Sequence, residues 1–139
     1  MGTKEICVKQ DLTQTKVITV SGKVIKGDGY GKKIGFPTVN IDRRNFLKMK
    51  DQPAFGVYTG TVKLLTRVTL VVEYKAGIVI GPFDKKGLPK VEAHLIGYKG
   101  NAYGKKAELT LNKFLRKYKN FKTESELILQ IKKDIELCK

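Results

Sequence analysis

Residues 56–80 read GVYTGTVKLLTRVTLVVEYKAGIVI, and this stretch decides the fold. β-Branched residues recur throughout it, a composition that is typical of strands and less favourable in helices. The pattern predicts one strand over residues 56–65 and two further strands over residues 68–74 and 76–80. Because no helix separates these runs, they indicate an antiparallel sheet that forms a barrel or a sandwich.

Four shorter β-rich segments flank this stretch, at residues 16–26, 36–41, 90–98 and 105–112. They bring the total to six or so strands and predict a mainly β domain. Residues 42–53 are polar and are predicted as a loop or a single helical turn, and Gly81-Pro82 is predicted to end the strand before it. In the segment at 90–98, strand alternation places Glu92, His94 and Ile96 on one face and Val91, Ala93 and Leu95 on the other.

The C-terminal segment differs from the rest because its apolar residues recur at helical spacing. Thr123 and Glu126 form a capping box, which is typical of a helix start. One apolar stripe follows, made of Leu127, Ile128, Ile131, Ile135 and Cys138. We therefore predict one amphipathic helix that packs on the β structure, in a single domain over residues 1–139 with its core at about 16–138.

The composition is strongly basic. The 139 residues include 28 Lys and Arg against 13 Asp and Glu, a formal net charge of +15. This balance suits an anionic partner such as nucleic acid or a phosphorylated ligand. No apolar run approaches the roughly 20 residues of a membrane span, and the N-terminus lacks the apolar region of a signal peptide. Cys7 and Cys138 are interpreted as reduced thiols, so we expect a cytoplasmic protein without membrane contact.

Residues 27–40 read GDGYGKKIGFPTVN and combine glycine, lysine and neutral oxygen donors. Four glycines within nine residues disfavour a helix and let backbone N–H groups approach an anion. Thr38 and Asn40 add oxygens that a hard cation accepts. From the residues alone this is either an anion-binding loop with a metal-binding corner or a flexible hairpin loop, and the glycines alone favour the hairpin.

Three further features contain candidate functional residues. Glu92 is an acid inside a β-run of a chain that is poor in acids. Residues 101–104 form a turn between two strands, and residues 114–121 are aromatic and basic just before the helix. His94 is interpreted as a hydrogen-bonded structural residue in preference to a partner of Glu92 in a dyad.

Taken in order, these segments resemble the ATP-dependent riboflavin kinases, a domain also found as the C-terminal half of bacterial bifunctional FAD synthetases. The resemblance covers roughly residues 22–134. It rests on pieces in family order, namely Gly22, Gly27-x-Gly29-x-Gly31, Gly35-Phe-Pro-Thr-Val-Asn40, Gly56-Val-Tyr58, Glu92-x-His94-Leu95, Tyr103-Gly104, Leu115-Arg116, Phe121, Glu126-Leu127 and Gln130-Ile131-x-x-Asp134. Val39 departs from the pattern, which usually has alanine there.

The resemblance implies a six-stranded antiparallel Greek-key barrel with one C-terminal helix, and a chain that has no adenylyltransferase domain. It implies a kinase that transfers the γ-phosphoryl group of ATP to the 5′-hydroxyl of riboflavin, giving FMN and ADP. ATP would be the co-substrate and Mg²⁺ the cofactor, with Mn²⁺ or Zn²⁺ as alternatives. We expect a monomer that binds neither membranes nor nucleic acid despite its charge.

The resemblance also implies roles for individual residues. Glu92 would be the general base, ionised because nearby metal or lysine charge keeps its pKa low. Thr38 and Asn40 would hold the metal. ATP would be bound by Gly27, Gly29, Gly31, Lys32, Lys33, Thr38, Asn40, Leu95, Gly97 and Tyr103. The flavin would be bound by Arg116, Phe121 and Glu124.

The alternative function is a basic oligonucleotide-binding β-barrel without catalysis, which would use the +15 charge and surface aromatic residues. It predicts aromatic side chains clustered on one strand face, whereas Tyr30, Phe36, Tyr103 and Phe121 fall in or beside predicted turns. It also assigns no role to Thr38, Asn40 and Glu92. The sequence therefore favours the kinase.

Overall fold

A closed barrel of six strands dominates the structure, a computed structural model that describes residues 17–139. The strands are β1 (Ile18–Ile25), β2 (Val39–Ile41), β3 (Gly56–Arg67), β4 (Leu70–Phe83), β5 (Pro89–Leu95) and β6 (Lys106–Arg116). The helices are α1 (Tyr30–Lys33), α2 (Arg44–Lys48) and α3 (Glu124–Cys138). Cys7, interpreted above as a reduced thiol, lies outside the described residues, whereas Cys138 is a free, buried thiol.

The strands follow the order β1-β2-β5-β4-β3-β6 around the barrel, and every neighbouring pair is antiparallel. Three consecutive strands, β3, β4 and β5, lie side by side, and β6 returns to pair with β3. This is the Greek-key arrangement. The structure therefore confirms the predicted mainly β fold with a six-stranded antiparallel barrel and a C-terminal helix.

The prediction of two separate strands over residues 68–74 and 76–80 is wrong, because β4 is continuous from Leu70 to Phe83. Gly77 does not interrupt it: its backbone stays in the ladder, opposite Thr59 of β3 and His94 of β5. Gly81-Pro82 does not end the strand either. It lies at a register shift between Ile80 and Phe83, where the ladder with β5 resumes.

Alternation along the strands fills the barrel interior. Side chains that point inward include the fully buried Val62, Leu64, Ile78, Ile80 and Leu109. The segment after β2 contributes α2, the single helical turn that was one of the two alternatives for this segment. Its central aromatic residue, Phe46, is fully buried and belongs to the core, which explains why this polar segment is held against the barrel.

The C-terminal helix begins as predicted. Thr123 is its N-cap, and its hydroxyl accepts a hydrogen bond from the backbone N–H of Glu126 at 3.2 Å. Cys138 is buried, as the predicted apolar stripe requires, but the charged Asp134 is buried on this helix as well. Within residues 17–139, no helix has the length and apolarity needed to cross a membrane.

Candidate active site

A cavity of about 440 Å³ lies on the outer side of the barrel. One side, called here the barrel wall, is formed by residues of β3, β4 and β5 together with Thr38, which precedes β2. The opposite side, called here the loop wall, is formed by residues 28–36 and by residues 116–135. The outer surface of the sheet and two segments that are far apart in sequence thus meet around one space.

Strand pairing fixes the polar residues of the barrel wall. Glu92 on β5 lies opposite Asn40 on one side and Val79 on the other. Directly opposed residues share a face, so Glu92 points outward with its neighbours while Val91 and Ala93 point into the core. Glu92 is half-buried and lines the cavity. The predicted alternation of this strand is therefore confirmed.

Burial raises the pKa of the Glu92 carboxyl above its ordinary value of 4.5. The positive charge of Lys90 and the hydroxyl of Thr38 lower this pKa, while the negative charge of Asp28 raises it further, and burial is the largest of these effects. The expectation that nearby positive charge keeps the pKa low is thus wrong for the protein without ligands. A carboxyl group with a raised pKa is a stronger proton acceptor once it is ionised.

His94 ties β5 to the segment that precedes Thr38. Its Nδ1 lies 2.7 Å from the carbonyl oxygen of Pro37. Because a carbonyl only accepts, Nδ1 must carry the proton. The edge of the Phe36 ring packs against the imidazole, with the ring centroids 6.0 Å apart. The interpretation of His94 as a hydrogen-bonded residue agrees with this geometry.

The glycine-rich segment contains a helix, contrary to the expectation that its glycines would prevent one. α1 is only four residues long, and it starts after Gly29, whose φ of 76° is the left-handed conformation that glycine adopts readily. Gly31 is required for a different reason, since a Cβ there would lie 2.5 Å from the carbonyl oxygen of Phe36. No residue of α1 is buried, so few contacts hold this part of the loop wall.

One hydrogen bond joins the two segments of the loop wall. The hydroxyl of Tyr30 donates to Oε1 of Glu124 at 3.1 Å, across 94 residues of sequence. Both residues are exposed and both line the cavity. The hydrogen bond to Glu124 raises the pKa of the Tyr30 phenol.

At the other end of the loop wall, Arg116 is anchored to α3. Its Nη2 donates to Oδ2 of Asp134 at 2.8 Å, and its Nε lies 3.2 Å from Oδ1. Asp134 also accepts a hydrogen bond from Gln130 at 3.0 Å. Two cations, Arg116 and Lys119, lie over the ring of Phe121, at 5.8 and 5.3 Å from its centroid.

The cavity brings together part of the predicted site, namely Gly31, Thr38, Glu92, Arg116, Phe121 and Glu124. Other predicted residues lie beside the cavity without lining it, namely Gly27, Gly29, Lys32, Lys33 and Asn40. Leu95 is buried in the core, and Gly97 and Tyr103 lie in turns and do not line the cavity. The roles of all these residues remain predictions.

Packing accounts for two features of the glycine-rich segment. A Cβ at Gly27 would lie 2.0 Å from the side-chain nitrogen of Asn40, so these two residues are in close contact. Val39 faces the core and packs against it. Its larger side chain, the departure from the family pattern, therefore points away from Thr38 and Asn40.

Several residues that line the cavity have no predicted role, among them Asp28, Tyr30 and Asp134. Asp28 and Tyr30 lie between glycines and follow no recognisable pattern, and Asp134 is named only as part of the family pattern. One signal for Asp134 was available: with Leu127, Ile131 and Cys138 it follows the helical period, so a charged residue occupies an apolar stripe. Such a residue predicts a buried polar contact.

The donors near Thr38 suit a magnesium ion only together with a phosphorylated ligand. Within residues 17–139 no group of three or more His, Cys, Asp or Glu residues is arranged to hold a metal. The cavity offers the Thr38 hydroxyl and the carboxylates of Asp28 and Glu92, which interact electrostatically. Magnesium typically takes one or two carboxylates and completes its shell with water and substrate phosphates, so these residues fit it.

A model of the riboflavin kinase family matches residues 14–139, nearly the whole chain. The chain belongs to this family. The chain is 33% identical over 121 residues to the bifunctional riboflavin kinase/FMN adenylyltransferase of Buchnera aphidicola subsp. Schizaphis graminum. It is 31% identical over 115 residues to the protein of the same name from Escherichia coli K12.

These alignments cover 87% and 83% of this chain but only 38% and 35% of the two relatives, so the chain spans well under half of their length. The crystal structure of riboflavin kinase from Trypanosoma brucei has the same fold, with a TM-score of 0.64 and 22% identity over 89% of this chain and 78% of that one. The fold and the family therefore agree.

Proposed function

We propose that this protein is a riboflavin kinase that forms FMN and ADP from riboflavin and ATP. The observation that carries the proposal is the position of Glu92, a half-buried carboxyl with a raised pKa that faces the cavity beside Thr38. Family membership supplies the reaction class. The same membership argues against the non-catalytic oligonucleotide-binding barrel, which gives Glu92 no role.

In the proposed reaction, the 5′-hydroxyl oxygen of riboflavin forms a bond to the γ-phosphorus of ATP. The bond between that phosphorus and the β,γ-bridging oxygen breaks, ADP leaves, and the hydroxyl proton passes to Glu92. Phosphoryl transfer depends mainly on positioning and on neutralising charge. Glu92 must be ionised to accept the proton, so the raised pKa sets the lower pH limit of the reaction.

We place the flavin ring between the apolar part of the barrel wall and Phe121. Val57 and Val79 supply apolar surface on the barrel wall, and Ile131 and Ile135 of the loop wall add to it. Arg116 would contact the ring from the loop wall, and Glu124 would close the entrance through its bond to Tyr30.

We place the phosphates of ATP under the glycine-rich segment, near Gly27, Gly29, Gly31, Lys32 and Lys33. Bound Mg²⁺ would neutralise phosphate charge. Thr38 is its proposed protein ligand, and Asn40, which does not line the cavity, is proposed as a second ligand next to it. Leu95, Gly97 and Tyr103 remain our candidates for the far side of the nucleotide site. We further propose that the domain acts as a cytoplasmic monomer.

The direct test is chromatographic detection of FMN after incubation of the protein with riboflavin, ATP and Mg²⁺. We expect FMN to accumulate in proportion to enzyme and time, and we expect none when ATP is omitted. Fluorescence titration adds a binding test, because riboflavin bound with MgADP present should be quenched. Absence of both FMN formation and riboflavin binding at tens of micromolar would refute the proposal.

A further inference from the structure

Asp134 is a charged residue in a position where an apolar side chain would have a lower desolvation cost. Only 7% of its surface is exposed, and among residues 17–139 it is the one charged residue that is buried. Burial of a carboxylate is costly unless charged partners and hydrogen bonds compensate it. Here Arg116 supplies the charge, and Gln130 supplies a further hydrogen bond.

The guanidinium of Arg116 is only partly used by these contacts. An arginine has five N–H donors. Its Nε–H and one N–H on Nη2 go to Asp134, and one N–H on Nη1 goes to the carbonyl of Lys117 at 3.3 Å. Two N–H groups have no hydrogen-bond partner among residues 17–139, and the side chain lines the cavity.

A second arginine–aspartate ion pair, between Arg43 and Asp84, provides a comparison because neither residue lines the cavity. Arg43 donates to Asp84, and the two side chains are 17% and 23% exposed, comparable to the 23% of Arg116 and the 10% of Asp134. Arg43 also reaches the carbonyl oxygen of Pro89 at 3.5 Å, and Asp84 accepts from the backbone of its own turn.

We propose that Asp134 is a positioning residue for the flavin subsite. It fixes the guanidinium plane of Arg116, so that the two remaining N–H groups bind an acceptor atom of the flavin ring. A guanidinium whose Nε and Nη2 are both hydrogen-bonded cannot rotate away from its ligand, whereas the ammonium group of a lysine can. The contact also places Arg116 over Phe121, which keeps the aromatic ring at the same wall. This inference rests on the proposed function.

The test measures riboflavin affinity by fluorescence quenching with saturating MgADP, together with MgADP affinity and thermal unfolding of every variant. We expect D134N and R116K each to weaken riboflavin binding about 10-fold or more, the usual effect of losing a hydrogen bond to a charged group. The D134N/R116K double variant should lose little more than either single variant, because both disturb the same guanidinium. MgADP affinity should stay within about twofold.

The matched control is D84N, which breaks the ion pair with Arg43, whose two residues do not line the cavity. It should lower the unfolding temperature and leave riboflavin affinity unchanged. The charge-swapped variant R116D/D134R keeps an ion pair but moves the guanidinium onto α3. We expect it to remain defective in riboflavin binding even if its unfolding temperature recovers.

Two results would overturn the positioning role. One is a folded D134N or R116K variant that binds riboflavin like the unmodified protein, and the other is recovery of riboflavin affinity in the charge-swapped variant. If D134N does not fold, D134E decides the question, because it keeps the negative charge next to Arg116 but displaces the carboxylate that orients the guanidinium. Riboflavin affinity equal to that of the unmodified protein in D134E would overturn the positioning role. Failure of the unmodified protein to bind riboflavin would instead refute the proposed function, so the two failures are distinguishable.

Discussion

The barrel wall and the loop wall of the cavity hold their polar residues in different ways. On the barrel wall, Glu92 and His94 belong to a strand that is hydrogen-bonded on both sides, to β2 and to β4. On the loop wall, Tyr30 lies in a helix without a buried residue and is linked to Glu124 by one exposed hydrogen bond. The barrel wall is fixed by the backbone ladder, whereas the loop wall is joined at Tyr30 and Glu124 by a side-chain contact.

From this difference we expect the barrel wall to carry the groups for bond making and the loop wall the groups that enclose the ligand. Groups that take part in bond making need to be held within fractions of an ångström, and a barrel ladder provides that accuracy. Groups that enclose a ligand must also let it enter and leave, so they belong on segments with few buried contacts. Substitutions in the barrel wall should therefore affect turnover most, while substitutions in the loop wall should affect binding.

The largest effect is expected from E92Q. Glutamine keeps the size and the hydrogen-bonding capacity of the side chain but cannot accept the hydroxyl proton. We expect kcat to fall by about 10²–10⁴-fold, the usual contribution of a general base, while riboflavin and MgADP affinities stay close to those of the unmodified protein. FMN formation in single-turnover experiments measures this. Turnover equal to that of the unmodified protein would remove Glu92 from its role.

The comparison of the two walls also shows which parts of the site the sequence could predict. Strand alternation placed Glu92 and His94 on one face, and the capping box placed the start of α3, because both depend on local backbone geometry. The partnership of Arg116 with Asp134 was not predicted. It depends on how β6 and α3 pack, which no local pattern encodes.

The errors in the fold prediction also arise where tertiary contacts override local sequence preferences. The two predicted strands are separated at Lys75, a residue type that is somewhat depleted in strands, but Lys75 lies opposite Thr61 in the ladder with β3, so tertiary pairing overrides this weak preference. The helix α1 was missed because glycine-rich segments disfavour helices, whereas here the left-handed Gly29 starts a single turn. Closure of the barrel was implied by the family resemblance, not by strand counting.

A smaller effect on the barrel wall is expected from T38A. Removing the hydroxyl takes away the proposed protein ligand of the metal, so the Mg²⁺ and ATP concentrations needed for half-maximal rate should each rise about 10-fold. T38S is the matched control, since serine keeps the oxygen and should retain the requirement of the unmodified protein. An unaltered requirement in T38A would exclude Thr38 as a metal ligand.

The raised pKa of Glu92 predicts a pH-dependent stability difference. A group whose pKa is higher in the folded state stabilises that state below its ordinary pKa, here 4.5, and loses this contribution as pH rises through the folded-state pKa. E92Q should therefore gain stability relative to the unmodified protein as the pH rises above 4.5. Thermal unfolding of both proteins between pH 4 and pH 8 measures this, and a constant difference would contradict burial as the main effect.

The smallest effect is expected on the loop wall, from Y30F. This change removes one exposed hydrogen bond, to Glu124, so riboflavin affinity with MgADP present should fall only about two- to threefold. Turnover at saturating riboflavin should not change. E124Q tests the same contact from the other side, and the Y30F/E124Q variant should be no weaker than the weaker single variant.

The control for this contact is Y74F, which removes a phenol that does not line the cavity. It should leave riboflavin affinity unchanged. A fall in kcat in Y30F comparable to that in E92Q would contradict the division between the walls, because a loop-wall contact would then contribute to bond making. Unchanged affinity in both Y30F and E124Q would show that the loop wall encloses the flavin without this bond, leaving Arg116, held by Asp134, as its main anchor.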